Sequence, residues 1–219
     1  MGKTLVITID TEPDCDIKWK RSDPLTFESV LHGITDIPLN DNGLRQAREV
    51  AEALKSVPAS HLYSSPLTRC MQTAQAIAAQ VNLEPFPLDG LIEMNFGWLE
   101  GKPFKDPSTL KLKPLVRFID QYQHLFIRVI SGESVPHLRR RVLAAWQRIL
   151  DENKHEISIV VGHSAVFNNI LIHHFGKNFP KGMHYYSMHP CSICEIAIND
   201  AVQARLVRMD DISHLCEFK

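Results

Sequence analysis

The fold class follows from one short run, Ile157-Ser158-Ile159-Val160-Val161-Gly162-His163-Ser164. Residues 157–161 are mostly apolar and β-branched, which favours a strand buried on both faces of a parallel sheet. Gly162 and His163 end this strand, and residues 164–175 then predict a helix. A buried strand that passes directly into a helix is typical of α/β proteins.

Strands and helices alternate in the same way on both sides of this run. The other predicted strands are 4–9, 61–64, 83–88, 192–198 and 204–209, and the other predicted helices are 42–55, 65–80 and 134–150. Residues 65–66, a serine followed by a proline, favour a helix start because they supply a cap and a preset φ. We therefore expect an α/β fold, a three-layer α/β/α sandwich with a largely parallel sheet.

Two segments interrupt the alternation. Residues 10–38 predict a long irregular excursion with one helical turn near 27–31. Residues 104–129 are mostly helical by pattern, and we expect them to form a cap over a site. A chain of 219 residues can bury one sizeable core but is too short for two independent domains, so we expect a single domain over residues 1–219, with residues 1–34 as an atypical N-terminal segment.

Composition narrows the classes of function. The chain has 219 residues, is 44% hydrophobic and carries a formal net charge of −1, so it has no broad basic field for nucleic acid or anionic lipid. No apolar run approaches the roughly 20 residues that span a bilayer, and we expect a cytoplasmic protein. The five cysteines are irregularly spaced, which favours reduced thiols over disulfides. The oligomeric state stays open.

Three residues near predicted strand ends could carry chemistry. His163 precedes a helix start, where backbone N–H groups favour an anion, although such a histidine can equally bond only to backbone. Arg69 lies in the first turns of a helix and could grip phosphate oxygens, or it could be solvated. Glu93 lies in an apolar run, where partial burial would raise its pKa and suit a general acid, or it could be an exposed loop acid.

Five ordered motifs connect these residues. They are G-I-T-D-I-P-L-N-D-N-G-L-R-Q-A at 33–47, Y-S-S-P-L-T-R-C-M-Q-T-A at 63–74, L-I-E-M-N-F-G-W-L-E-G at 91–101, G-E-S at 132–134 and V-V-G-H-S at 160–164. Together they resemble the histidine phosphatase, or phosphoglycerate mutase-like, superfamily. Their spacing is closest to the phosphatase branch that includes α-ribazole phosphatase.

The resemblance implies a phosphoglycerate mutase-like fold that acts on a small phosphorylated molecule, without a metal or other cofactor. By that resemblance, Arg69 would bind phosphate and Glu93 would protonate the leaving oxygen. His163 would bind phosphate and stabilise the transferring phosphoryl group. These roles agree with electrostatic stabilisation of phosphoryl charge.

The family's first motif is missing from the predicted first strand. An R-H-G motif would be expected there, with its histidine as the phosphorylated nucleophile, but the chain reads Thr8-Ile9-Asp10. Isoleucine cannot act as a nucleophile, and Asp10 would repel a phosphate dianion. We therefore expect a degenerate active site. His32, in the sequence L-H-G-I-T at 31–35, is a weak candidate to replace the nucleophilic histidine, because the residues that follow it match a later segment of the family and not the first motif.

The N-terminal stretch has a second resemblance. Residues 5–34, with T-I-D-T-E-P-D-C-D at 8–16 and R-S-D-P-L-T-F at 21–27, look like the opening of polysaccharide deacetylases. In those enzymes an early strand-end aspartate takes part in metal-assisted deacetylation. A deacetylase-like leader could have replaced the phosphatase's first strand, or the similarity could be accidental.

Three functions stay open: a phosphomonoesterase lineage with weak or no turnover, a non-catalytic phosphometabolite- or partner-binding module, and a metal-dependent hydrolase that uses Asp10.

Other residues that could suggest a site favour structural roles. We expect buried thiols at Cys191 and Cys194 and an exposed face at residues 139–141. Solvated or hydrogen-bonded side chains are expected at the remaining candidates, His173, His174, His184, His189 and the acids Asp10, Glu12, Asp14 and Asp16.

Overall fold

A computed structural model gives the architecture. It describes residues 3–9, 29–30, 32–97, 100, 103–104, 132–153, 156–176, 188–199 and 203–216. The strands are β1 Lys3–Ile9, β2 Ser29–Val30, β3 Ala59–Ser64, β4 Pro85–Pro87, β5 Pro103–Phe104, β6 Ile157–Gly162, β7 Ile193–Ile198 and β8 Ala204–Asp211. The α-helices are α1 Asp41–Leu54, α2 Thr68–Val81, α3 Val135–Glu152 and α4 Ser164–Phe175.

Six strands form the main sheet in the order β4-β3-β6-β1-β7-β8. Strands β1, β3, β4 and β6 pair in parallel, while β7 and β8 run antiparallel to their neighbours. Strands β2 and β5 form a separate two-stranded sheet. The predicted α/β fold with a largely parallel sheet is confirmed, and the structure adds that two strands of the sheet are antiparallel.

The helices cover the two faces of the main sheet with separate apolar cores. One face packs β1 residues Leu5 and Ile7 against α3 and α4, with Trp146 and Phe167 fully buried at the contact. The other face packs Val6 against α1 and α2. Side chains of a strand alternate between faces, so β1 contributes to both cores and the molecule has three layers.

Strand β1 occupies the centre of the sheet. Its residues pair in register with β6 on one side, ending at Ile9 beside Gly162, and with β7 on the other, where Thr8 lies beside Ile193. The carboxyl ends of β1, β3 and β6 therefore meet at one edge. Ligands of open α/β sheets bind beyond this edge. Among the described helices, none is both long enough and apolar enough to cross a membrane.

Some sequence expectations were wrong in detail. The second helix begins at Thr68 rather than at residue 65, and the Asp36 carboxylate accepts from its first N–H group. The Ser65 hydroxyl lies before the helix and interacts with His163. Residues 29–30 are a strand and not part of a helical turn, and Phe104 pairs with Ser29 rather than starting a helix. The remainder of the predicted cap, residues 105–129, lies outside the described residues, as do residues 10–28.

Candidate functional site at the carboxyl edge of the sheet

Arg69 is fixed in the first turn of α2 by a loop that precedes α1. The helix start has no side-chain cap of its own, and the carboxylate of Asp36 accepts hydrogen bonds from the backbone N–H and the hydroxyl of Thr68 at 2.6 and 2.9 Å. A carboxylate at this position also complements the positive end of the helix dipole. Asp36 therefore sets the entry of α2, and with it the position of Arg69.

The Arg69 side chain is only 3% exposed and reaches back to the same loop. Its guanidinium donates to the carbonyl oxygens of Thr35 and Gly33, each at 2.8 Å. Its Nη2 also lies 3.4 Å from Nδ1 of His163. The two carbonyl oxygens orient the guanidinium without neutralising its charge. Arg69 therefore places a positive charge beside His163.

His163 lies between β6 and α4 and is 2% exposed. Its Nε2 is 2.9 Å from the Ser65 hydroxyl and 3.4 Å from Sγ of Cys70. A guanidinium has no acceptor, so the Nδ1 that faces Arg69 must be the accepting nitrogen and the ring proton belongs on Nε2. The ring then donates to Ser65 and accepts from Arg69, which fixes its orientation.

Glu93 approaches the same point from the loop after the 3-10 turn Asp89–Leu91. Its Oε2 accepts from the backbone N–H of Ala165 at 3.3 Å, in the first turn of α4, and its Oε1 accepts from Met94 at 2.7 Å. The side chain is partly buried. The carboxylate therefore contacts the helix that begins immediately after His163.

A third acid, Glu100, holds the loop that Arg69 contacts. Its carboxylate accepts from the backbone N–H groups of Ile34 and Phe96 at 3.1 and 3.0 Å, and from both the N–H and the hydroxyl of Thr35. Gly33 has a φ of +32°, and a Cβ there would lie 2.2 Å from Oε1 of Glu100. This position requires glycine, because the conformation and the close approach both exclude a side chain.

Arg141 is the main residue that sequence reasoning missed. Its side chain is 21% exposed, so it does not belong to the predicted exposed face, whereas Arg139 and Arg140 are exposed as expected. It forms an ion pair with Glu133, at 2.7 Å through Nε and 2.8 Å through Nη2. The G-E-S motif at 132–134 was the available signal for this contact.

Two buried hydroxyls lie at the same edge. Thr8 and Ser192 are both fully buried, and among the described residues neither hydroxyl has a hydrogen-bond partner. Thr8 pairs with Ile193, the first residue of β7, and Ser192 directly precedes it. A hydroxyl can donate to an anion. Sequence patterns gave no reason to select either residue.

The discounted residues have other partners in the fold. Cys70, Cys191 and Cys194 are buried thiols, and burial raises the pKa of Cys194 to about 11. His174 accepts from Nε1 of Trp146 at 2.8 Å, and His189 pairs with Asp210 at 2.7 Å. Within the described ranges, no three His, Cys, Asp or Glu side chains gather to hold a metal. Asp10, Glu12, Asp14, Asp16 and His184 lie outside those ranges.

The three predicted site residues thus come together from separate parts of the chain. Arg69 contacts His163 directly, and Glu93 contacts Ala165, two residues further along. The profile of the histidine phosphatase superfamily (branch 1) matches residues 25–212. The chain belongs to this superfamily.

Curated relatives agree with this membership. The chain is 31% identical over 192 residues to phosphoglycerate mutase-like protein 4 of Arabidopsis thaliana, covering 87% of this chain and 81% of that protein. It is also 31% identical over 141 residues to the probable phosphoglycerate mutase GpmB of Proteus mirabilis, covering 64% of this chain and 65% of the relative.

Solved structures with the same fold include phosphatases and a mutase. A phosphoserine phosphatase from Entamoeba histolytica, in complex with 3-phosphoglyceric acid, superposes with a TM-score of 0.71 at 22% identity, covering 97% of this chain and 99% of that one. A putative α-ribazole-5'-P phosphatase from Escherichia coli gives 0.74 at 20% identity, with coverage of 96% and 97%. A phosphoglycerate mutase from Bacillus anthracis gives 0.74 at 20% identity, with coverage of 97% and 95%.

Proposed function

We propose that this protein binds a phosphomonoester at the carboxyl edge of the sheet and turns it over slowly or not at all. The observation that carries the proposal is the buried contact between Arg69 and His163, at 3.4 Å. In this proposal Arg69 and His163 bind phosphate, and Glu93 faces the leaving oxygen. Superfamily membership supports a phosphorylated ligand of low molecular weight.

Charge favours a phosphate group at this point. A guanidinium binds phosphate oxygens in a planar, bidentate manner, and burial strengthens such hydrogen bonds because it lowers the local dielectric. The N-terminus of α4 adds backbone N–H groups beside His163. A phosphate dianion would meet a cation, an imidazole and a positive helix end together.

The weak turnover in this proposal follows from the sequence of β1. Its last residue, Ile9, pairs in register with Gly162, directly before His163, and strand Lys3–Ile9 contains no histidine. Isoleucine has no atom that can accept a phosphoryl group. Removal of a catalytic nucleophile generally costs several orders of magnitude in rate. We therefore infer a degenerate active site that retains binding better than catalysis.

The proposal is tested by hydrolysis of p-nitrophenyl phosphate and a panel of small phosphomonoesters, together with calorimetric titration of inorganic phosphate. Wild type should bind phosphate, and its turnover should stay near background. His163→Ala should weaken binding, while the exposed Arg140→Ala should leave binding unchanged. Fast turnover that His163→Ala abolishes and a chelator leaves intact would contradict the degenerate site.

A separate experiment tests the alternative of a metal-dependent hydrolase that uses Asp10. If Asp10 serves a hydrolase, turnover should require a divalent cation and disappear on chelation and in Asp10→Ala. The phosphate-site proposal predicts instead that neither the chelator nor Asp10→Ala removes phosphate binding. A purely partner-binding role would show neither phosphate binding nor turnover.

A further inference from the structure

The Arg141 guanidinium divides its hydrogen-bond donors between Glu133 and the loop that carries Glu93. Besides its two bonds to Glu133, it donates to the carbonyl oxygens of Gly90 at 3.1 Å, Ile92 at 2.6 Å and Glu93 at 2.9 Å. An arginine has five N–H donors in a rigid fork. All five are thus committed to this one arrangement.

Glu133 completes the connection between α3 and the loop. Its backbone N–H donates to the carbonyl of Asn95 at 3.2 Å, and its Oε2 accepts from the Asn95 N–H at 3.4 Å. Burial raises the pKa of Glu133, but the hydrogen bonds from Arg141 and His137 outweigh burial and hold that pKa below its ordinary value. Glu133 therefore stays ionised and keeps its pair with Arg141 at neutral pH.

Close packing supports the same contact at both ends of the loop. A Cβ at Gly90 would lie 2.4 Å from Cβ of Ala145, on the helix that carries Arg141. A Cβ at Gly132 would lie 2.4 Å from the Asn95 side chain. The loop backbone thus lies directly against α3 and against the residues that lead into α3, so the loop can move little.

We propose that Arg141, held by Glu133, is a positioning residue that sets the place of the Glu93 carboxylate relative to His163. The loop of residues 90 to 95 places Glu93 beside the first turn of α4. Arg141 donates hydrogen bonds to three carbonyl oxygens of this loop, and one of them belongs to Glu93. A carboxyl group that protonates a leaving oxygen must lie within hydrogen-bond reach of it. This inference rests on the proposed role of Glu93.

The test compares Arg141→Lys, which keeps the charge but loses the fork, with Arg140→Lys, its exposed neighbour on the same helix. The first readout needs no turnover: the amide NMR signals of Met94 and Ala165, whose N–H groups donate to Glu93. Arg141→Lys should shift both signals, while the amide signals of helix α1, which packs on the other face of the sheet, and the phosphate affinity stay as in wild type. Arg140→Lys should shift neither.

The second readout uses the slow turnover that the proposed function allows, and it follows the dependence of that turnover on the leaving group. Without turnover, the amide signals alone decide. A displaced general acid should lower kcat for an alkyl ester such as glycerol 2-phosphate by about tenfold to 100-fold, with KM unchanged. Turnover of p-nitrophenyl phosphate should change far less, because its phenolate leaves without protonation. A loss that is equal for both esters would mean a structural role and would overturn the inference.

The two proposals fail in different ways. Unchanged Met94 and Ala165 signals in Arg141→Lys would overturn the positioning role, whatever the protein binds. Absent phosphate binding in wild type would remove the proposed function, although shifted amide signals would still show that Arg141 sets the position of Glu93. If Arg141→Lys fails to fold, Glu133→Gln weakens the same pair more gently and provides the same amide readout.

Discussion

The Arg69 guanidinium lies 3.4 Å from Nδ1 of His163, and the two side chains are 3% and 2% exposed. Arg69 belongs to α2, which packs on one face of the sheet, and His163 precedes α4, which packs on the other. The two side chains meet beyond the carboxyl ends of the strands. This contact therefore joins both faces of the sandwich at the site that we propose for phosphate.

Replacement of Arg69 should weaken phosphate binding. Arg69→Gln removes the charged donors, and hydrogen bonds to charged groups contribute about 1.5–3 kcal/mol. Affinity for inorganic phosphate, measured by isothermal titration calorimetry, should fall about tenfold to 100-fold. Arg139→Gln changes an exposed arginine and should not alter the affinity. Equal affinities of wild type and Arg69→Gln would exclude Arg69 from the site.

The Ser65 hydroxyl should contribute to stability through His163. Ser65→Ala leaves the Nε2 of a buried ring without its oxygen partner at 2.9 Å, and an unsatisfied buried group costs about 1–3 kcal/mol. Urea unfolding should show this loss in the free energy of unfolding. Ser60→Ala, which changes an exposed serine of strand β3, should stay within about 0.5 kcal/mol of wild type. A null effect of Ser65→Ala would argue against the hydrogen bond between Ser65 and His163.

Gly33→Ala should disturb both stability and binding. The new methyl group would lie 2.2 Å from Glu100 Oε1 and 2.8 Å from the Met94 carbonyl, at a φ of +32° that disfavours a side chain. A loss on the order of 1–3 kcal/mol is expected. Phosphate binding should weaken as well, because the strained backbone displaces the carbonyl of residue 33 that holds Arg69. Thermal unfolding and calorimetry measure the two effects. Ile34→Ala, at an exposed residue, is the control, and comparable results for both variants would contradict the account.

Stability should fall in acid through His174. Burial, with a smaller effect of His173, lowers the pKa of His174 from 6.5 to about 4. The unfolded chain therefore binds a proton at this ring between pH 6.5 and 4, while the folded protein does not. The contribution of the neutral ring is fully present above this window and is lost as the pH falls through it. The loss should be on the order of 1–2 kcal/mol for a partly exposed ring.

His174→Gln isolates this effect, because a glutamine oxygen can still accept from Trp146 Nε1 but does not titrate. Urea unfolding followed by circular dichroism from pH 7 to pH 4 should show a smaller acid loss in the variant than in wild type. His61→Gln, a more exposed histidine, is the matched control. Parallel pH profiles of wild type and His174→Gln would contradict the assigned pKa direction.

The sandwich could be predicted because its signals are local. Buried strands such as 157–161 are continuous apolar runs, and the boundaries of α4 at Ser164 and Phe175 match the expectation. The start of α2 could not be predicted, because Asp36 supplies its cap from 32 residues away. The pairing of Ser29 with Phe104 was missed for the same reason, since two-residue strands form only through a distant partner.

Some residues of the candidate site could likewise be predicted from the sequence, and others could not. Arg69, Glu93 and His163 were found through strand ends and motifs, and the fold brings them to one edge. Arg141 was misjudged because it lies in a row of three arginines, and only the helical phase distinguishes the partly buried one. The hydroxyls of Thr8 and Ser192 could not be selected, because residues that are 184 positions apart become neighbours only through the β1–β7 pairing.

The central claim is that the edge binds a phosphomonoester without an efficient nucleophile, and ³¹P NMR of a panel of small phosphomonoesters mixed with the protein tests both parts. The account predicts that the line of at least one ester broadens or shifts, and that Arg69→Gln restores this line to its position in buffer. It also predicts that inorganic phosphate accumulates slowly at most. Rapid appearance of inorganic phosphate, or ester lines that the protein leaves unchanged throughout the panel, would contradict it.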